Sequence, residues 1–207
     1  MNLPNRLTVA RIGLTGVFVA ALLLPTDGRF HAFFPYGKTL ALAVFIVAGL
    51  TDWWDGMLAR KHKLETNFGA LLDPVADKIL TTAAFICFIE MRAHAGNALV
   101  QGWMVLLIVS RDFLVTGLRL VAQERGVVLK AERLGKHKTI SQMVTIIVTL
   151  IGLAARQDWG SLGVEPEMFD QMFSVAVFWL MMVTVGLTVI SGFVYFWKNQ
   201  EVFLRDA

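Results

Sequence analysis

Four aspartates lie within residues 51–78 of the sequence, TDWWDGMLARKHKLETNFGALLDPVADK, where one apolar segment ends and the next begins. On helices, Asp52 and Asp55 are about 60° apart around the axis, and Asp73 and Asp77 are about 40° apart, so each pair shares a face. An ionised carboxylate in or near a bilayer is costly unless something compensates its charge. Four at close range would repel one another, so the spacing predicts that they share bound cations.

The ligand type indicates which cations these are. Oxygen-only ligation favours Mg²⁺ or Mn²⁺ over zinc, and two such ions are a known arrangement for polarising a phosphoryl group. Gly56 and Ala59 keep the helix surface low beside the carboxylates, Gly69 allows close helix packing, and Arg60 can bind a phosphate in bidentate fashion. Taken singly, the glycines would suit ordinary packing and Arg60 a membrane interface. Their joint spacing is what favours a site.

The rest of the chain is apolar enough to place this site in a membrane protein. Of the 207 residues, 56% are hydrophobic and 17% are charged, and the mean hydropathy is +0.61. The net charge of +3 is too small to indicate a nucleic-acid partner. Because a membrane helix needs about 20 mostly apolar residues, the hydropathy predicts six spans, at residues 7–24, 39–60, 70–91, 99–121, 139–155 and 172–197.

The distribution of basic residues predicts the orientation of these spans. With the N-terminus in the cytoplasm, thirteen Lys and Arg residues fall on the cytoplasmic side and four on the other, while Lys78 and Arg111 lie within spans. The positive-inside rule therefore places both termini, and the aspartates, on the cytoplasmic side. We expect one domain over residues 1–207, all-α and integral to the membrane, with the 156–171 loop external.

The aspartate stretch matches the pattern D-x-x-D-G-x-x-A-R-x8-G-x-x-x-D-x-x-x-D at all eight fixed positions. In this the chain resembles the CDP-alcohol phosphotransferases, a family of six-helix membrane enzymes. The resemblance implies a homodimer, a CDP-linked lipid as donor, and two Mg²⁺ or Mn²⁺ ions on the four aspartates, with Asp77 also the general base. The residues expected to bind CDP are Asp52, Gly56, Ala59, Arg60 and Gly69, with Asn5 and Thr8 as weaker candidates.

Three further stretches, NLPNRLTVARI, SRDFLVTGLRLVAQERGV and LGKHKTISQM, resemble the branch of the family whose acceptor is glycerol 3-phosphate. Arg111 lies inside a span, where it needs an anionic partner. From the residues alone, an ion pair with Asp112 is as good an explanation as substrate binding, and Lys136 and Lys138 suit positive-inside anchoring. The resemblance instead favours Arg111, Lys136 and Lys138 as ligands of the acceptor phosphate.

The expected reaction is transfer of the phosphatidyl group from CDP-diacylglycerol to glycerol 3-phosphate, giving phosphatidylglycerol phosphate and CMP, in a bacterial cytoplasmic (inner) membrane. The aspartate motif leaves other acceptors open, namely serine, an inositol phosphate or another lipid. A divalent-cation transporter is a more distant alternative, since transport sites usually lie near the bilayer midplane within repeated halves and no repeat is visible.

Overall fold

A computed structural model describes the backbone of residues 3–23, 36–62, 67–92, 96–124 and 133–204. It describes the side chains of residues 10–23, 36–51, 78–92, 96–123, 134–160 and 163–200. Within these ranges the chain forms α1 (Leu3–Leu23), α2 (Gly37–His62), α3 (Asn67–Glu90), α4 (Gly102–Glu124), α5 (Arg133–Gln157) and α6 (Pro166–Leu204). A 3₁₀ turn, Gly160–Gly163, precedes α6, and the described backbone forms no β-strand. The prediction of an all-helical chain with six helices is confirmed.

Every helix overlaps one predicted span, and every helix except α4 is longer than the span it overlaps. The fifth span was predicted at 139–155, whereas α5 runs from Arg133 to Gln157. The helix α6 has 39 residues, or about 58 Å at the usual rise. Backbone hydrogen bonding continues through polar residues at the helix ends, so hydropathy marks the apolar middle of a helix and not its boundaries.

Among the residues whose side chains the structure describes, two helical segments are long and apolar enough to cross a membrane, Leu134–Gln157 and Pro166–Gln200. Shorter apolar helical segments occur at Ala10–Leu23 and Gly37–Thr51. The helix α6 also exposes large apolar side chains, and Trp179, Phe193 and Trp197 are each more than 60% exposed. An exposed apolar surface of this kind suits contact with lipid better than contact with water.

The core lies between helices that pack against one another in pairs. The helix α1 lies against α2 and α3, α5 lies against α2 and α6, and α4 packs on α6. Aromatic side chains fill the space, with the Phe18 and Phe45 rings 5.9 Å apart at the α1–α2 contact. Further along the chain, Phe85, Phe88 and Leu150 are fully or almost fully buried.

One end of the bundle is closed by polar contacts that involve the 156–171 loop. Asp158 follows α5 directly, and its Oδ2 accepts hydrogen bonds from the backbone N of Thr39 (2.6 Å) and from the Thr39 hydroxyl (2.7 Å). Asp158 therefore caps the start of α2 from a distant part of the chain, as an N-cap residue normally does locally. Because the start of α2 meets the end of α5, these two packed helices run antiparallel.

A second contact at this end joins α5 to α6. The Arg156 side chain bonds both carboxylate oxygens of Asp170, at 2.6 and 2.7 Å. Arg156 also donates to the backbone carbonyl of Arg92 (3.1 Å), which ties in the connection after α3. The loop between α5 and α6 is thus anchored by specific side chains.

Candidate active site

A cluster of charged side chains lies buried at the opposite end of α5. Its centre is Asp112 of α4, which is 9% exposed. One of its carboxylate oxygens accepts hydrogen bonds from the ammonium of Lys138 and from Arg111 Nη1, the latter at 3.3 Å. The other accepts from the side-chain amide of Gln142, also at 3.3 Å. The structure therefore brings Arg111 and Lys138 together around one carboxylate.

Helix geometry explains why α5 supplies two of these groups. Lys138 and Gln142 are four residues apart, so they share one face of α5, and both side chains reach Asp112 on α4. They are 5% and 4% exposed. A charge buried this deeply is unstable without a partner, and Asp112 provides one. Among the described side chains of the cluster, two cations share a single carboxylate, so these three groups together carry excess positive charge, which suits an anionic ligand.

Arg111 is held by its contact with α6. A Cβ added at Gly192 would lie 2.9 Å from Arg111 Cγ, so glycine is the residue that lets the arginine stem pass this close to the helix. The Nε atom of Arg111 is buried and bonds no atom of the described residues. The ion pair with Asp112 that the sequence allowed is present, and Arg111 still has donors to spare for a ligand.

The α3 helix joins the cluster through Lys78. Its ammonium donates a hydrogen bond to the hydroxyl of Thr116 on α4. The same hydroxyl donates to the backbone carbonyl of Asp112 at 2.7 Å, one helical turn earlier. Lys78 therefore reaches α4 just beside the carboxylate that binds Lys138.

Lys136 lies apart from these residues. It is exposed, and it does not belong to the described side chains that bond Asp112. Residues two positions apart in an α-helix are separated by about 200° around its axis, so Lys136 and Lys138 occupy different faces of α5. The structure brings Lys138 to the buried cluster and leaves Lys136 at the helix surface.

The helical segments that carry the four aspartates lie toward the same end of the bundle. Thr39 lies in the first turn of α2 beside Asp158, and residues 52–55 follow about 20 Å further along the helix, toward the end where α5 begins. On α3, residues 73 and 77 precede Lys78 within about one and a half turns. The backbone therefore places both aspartate segments on the side of the bundle that holds the cationic cluster.

The predicted donor-site residues belong to described helices, but their side chains lie outside the part of the chain that the structure describes. They are Asn5, Thr8, Asp52, Asp55, Gly56, Ala59, Arg60, Gly69, Asp73 and Asp77. The side chains that are described contain no group of three or more His, Cys, Asp or Glu suited to a metal. Four carboxylates on two successive helices are a donor set that fits hard divalent cations, by the chemistry of their oxygens.

Sequence reasoning missed three contributors to this end of the bundle. Gln142 and Thr116 were not singled out, and Lys78 was noted only as a cation within a span. The spacing from Lys138 to Gln142 was a usable signal, because residues four apart share a helix face. The bond between Lys78 and Thr116 spans 38 residues and had no local signal.

Comparison with known proteins identifies the family. The family model described as CDP-alcohol phosphatidyltransferase matches residues 1–190. Three similar proteins are named CDP-diacylglycerol--glycerol-3-phosphate 3-phosphatidyltransferase. The one from Bacillus subtilis is 40% identical over 204 residues, covering 97% of this chain and 96% of the relative.

The second, from Rickettsia felis, is 34% identical over 202 residues, covering 98% and 97% of the two chains. The third, from Haemophilus influenzae, is 37% identical over 147 residues, covering 70% and 73%. The resemblance carried by the aspartate signature is therefore confirmed. The chain belongs to the CDP-alcohol phosphatidyltransferase family, whose enzymes generally use divalent metal ions.

Proposed function

We propose that the protein transfers the phosphatidyl group of CDP-diacylglycerol to glycerol 3-phosphate, giving phosphatidylglycerol phosphate and CMP. Family membership supports the reaction type, and the names of the relatives support both substrates. The observation that supports glycerol 3-phosphate as the acceptor is the buried pair of cations, Arg111 and Lys138, around the single carboxylate of Asp112. A phosphorylated acceptor matches this excess of positive charge, whereas free serine does not require it.

The donor half of the site consists of the two aspartate segments. Two Mg²⁺ or Mn²⁺ ions would be held by Asp52, Asp55, Asp73 and Asp77. When bound, these ions would neutralise the charge of the pyrophosphate and of the departing CMP. Around them, the cytidine nucleotide would be bound by Asp52 together with Asn5, Thr8, Gly56, Ala59, Arg60 and Gly69. The small residues leave room for the nucleotide, and Arg60 offers a phosphate two parallel donors.

In the acceptor half, Arg111 and Lys138 bind the phosphate of glycerol 3-phosphate, and Lys136 adds positive charge at the surface of α5. Asp77 takes the proton from the primary hydroxyl, which then attacks the phosphorus that bears the diacylglycerol. A new P–O bond forms to the glycerol oxygen, the bond to the CMP oxygen breaks, and CMP leaves with the bonding electrons. Asp77 releases the proton to solvent. No protein nucleophile takes part.

The surroundings of this site complete the proposal. All six helices would cross a bacterial cytoplasmic membrane, with both termini and the active site on the cytoplasmic side, and residues 1–207 would act as one domain in a homodimer. The apolar helices and the excess of basic residues on the proposed cytoplasmic side support this orientation. The cationic cluster near one end of α5 disfavours a transport pathway, because transport sites usually lie near the bilayer midplane.

The decisive experiment mixes purified protein with CDP-diacylglycerol, Mg²⁺ or Mn²⁺ and a panel of single acceptors, and measures CMP release and the lipid product. We expect release with glycerol 3-phosphate and only background with serine, inositol phosphate or no acceptor. A Lys138→Met variant serves as the comparison, since it should weaken use of glycerol 3-phosphate and leave binding of CDP-diacylglycerol intact. Faster turnover with another acceptor would overturn the acceptor assignment, and no CMP release at all would overturn the enzymatic one.

A further inference from the structure

Asp112 is an unexpected residue to find at the centre of a site for an anion. A phosphate that approaches Arg111 and Lys138 also approaches this carboxylate, and like charges repel strongly where water is scarce. Nevertheless, Asp112 is 9% exposed and is bonded by three side chains, Arg111, Lys138 and Gln142. Its presence at this position therefore needs a compensating benefit.

The flexibility of Lys138 explains why a carboxylate at this position is useful. Its ammonium sits on a flexible four-carbon stem, so without a partner it would sample many positions. Bonding to Asp112 fixes the ammonium beside Arg111, and Gln142 holds the second oxygen of the carboxylate at 3.3 Å, which fixes the carboxylate in turn. Lysine has three N–H donors and arginine has five. Each cation can therefore bond Asp112 and an incoming phosphate at the same time.

We infer that Asp112 is a positioning residue for the acceptor site, which holds Lys138 and Arg111 in the arrangement that binds the acceptor's phosphate. The inference rests on the proposed function, and it adds a residue that touches neither substrate. Binding then benefits more from the fixed geometry of two cations than it loses from the repulsion of one carboxylate. Preorganised groups of this kind save the cost of ordering when the ligand binds.

The alternative is that Asp112 only neutralises buried charge, and the two roles predict opposite signs. If Asp112 merely offsets charge, Asp112→Asn removes a repulsive group and the KM for glycerol 3-phosphate falls. If Asp112 positions the cations, the same variant frees Lys138 and the KM rises. We expect a rise of about tenfold or more, since losing one partner of a buried charge pair has large effects. We expect kcat and the KM for CDP-diacylglycerol to change by less than about threefold.

The matched control is Asp170→Asn. Asp170 is also an aspartate in an ion pair, with Arg156, but at the other end of α5. This variant should leave both KM values unchanged. Asp112→Glu keeps the charge and the ability to bond Lys138, so it should recover part of the affinity that Asp112→Asn loses. A KM for glycerol 3-phosphate that is unchanged or lower in Asp112→Asn would overturn the inference.

A double-mutant comparison tests whether Asp112 acts through Lys138. If it does, Asp112→Asn combined with Lys138→Met raises the KM for glycerol 3-phosphate by clearly less than the product of the two single effects, because only the effect through Arg111 remains, whereas independent effects would multiply. Multiplying effects would overturn the inference. If Asp112→Asn does not fold, the Gln142→Met variant tests the positioning role instead. Methionine has about the same length as glutamine but cannot donate the hydrogen bond that holds the Asp112 carboxylate. The variant should raise the same KM by about twofold to fivefold, and no change would count against positioning.

Failure of this inference is distinguishable from failure of the proposed function. The proposed function fails if the wild-type protein does not use glycerol 3-phosphate. The positioning role fails if the wild-type protein uses it and the Asp112 variants keep the same KM. Equal losses for both substrates, together with a lower thermal unfolding temperature, would assign Asp112 a structural role only and would also overturn the positioning role.

Discussion

The ammonium of Lys78 on α3 donates a hydrogen bond to the hydroxyl of Thr116 on α4. Lys78 follows Asp77, the proposed general base, and Thr116 lies one turn after Asp112. This bond therefore connects the helix of the proposed base to α4, the helix that carries Arg111 and Asp112. In the proposed reaction the acceptor places its hydroxyl by the base while its phosphate is held by the cations, so we expect this bond to help align the two proposed halves of the site.

Substituting Thr116→Val tests that link, because valine has the same shape and lacks the hydroxyl. We expect kcat with glycerol 3-phosphate to fall about threefold to tenfold through loss of alignment. The free energy of unfolding should fall by about 1 kcal/mol for the lost hydrogen bond. The control is Thr149→Val. The buried hydroxyl of Thr149 donates a hydrogen bond to the backbone carbonyl of Thr145, in the half of α5 away from Lys138. Equal kcat values in the two variants would show that the bond does not align the site.

Removing the carboxylate of Asp77 tests the proposed base. Asp77→Asn should lower turnover by about a hundredfold or more, the usual contribution of a general base. The measurement is CMP release at saturating substrates, with thermal unfolding to verify that the variant folds. Wild-type turnover in a folded Asp77→Asn protein would exclude Asp77 as the base.

Chelation tests the metal site. Treatment with EDTA should abolish CMP release, and Mg²⁺ or Mn²⁺ should restore it, because the carboxylates are ligands for hard cations. Titration of the metal-free protein with Mn²⁺, followed by calorimetry, should give two ions per chain, and Asp52→Asn should lower that number. Full activity in the chelated protein would contradict a metal-assisted reaction.

The contact between Asp158 and Thr39 lies far from the proposed chemistry, so its loss should change stability and not catalysis. Asp158→Ala removes the acceptor of both Thr39 bonds, and we expect a loss of about 1–2 kcal/mol in the free energy of unfolding, as for other N-caps. Asp158→Asn keeps an oxygen acceptor and should lose less. A fall in kcat without a change in unfolding temperature would assign the contact a different role.

The close packing of α5 on α6 predicts that a larger residue at Gly152 lowers the stability of the protein. A Cβ at Gly152 would lie 2.0 Å from the ring of Phe173, so Gly152→Ala must displace that ring. We expect a loss of about 1–3 kcal/mol, measured by thermal unfolding in detergent. Gly186→Ala is the control, since a Cβ there meets nothing within 4 Å. Equal stability of the two variants would show that the helices separate easily at Gly152.

Much of the architecture follows from local sequence properties. Six apolar stretches predict six helices because a helix satisfies its own backbone hydrogen bonds, which membranes require. The aspartate signature is also local, since all eight of its fixed positions fall within residues 52–77. Recognition of the family therefore needed only the order and spacing of the residues.

Helix packing decided which residues meet in the proposed acceptor half of the site. Lys136 and Lys138 are equivalent basic residues in the sequence, and only the tertiary structure places buried Lys138 against Asp112, 26 residues away. Asp158 and Thr39 are 119 residues apart and have no pattern in common. Helices that are apolar on most sides lack the amphipathic stripe that marks the buried face of a soluble helix. The sequence by itself therefore determined the helices and the aspartate motif, whereas the tertiary structure decided which polar side chains meet between them.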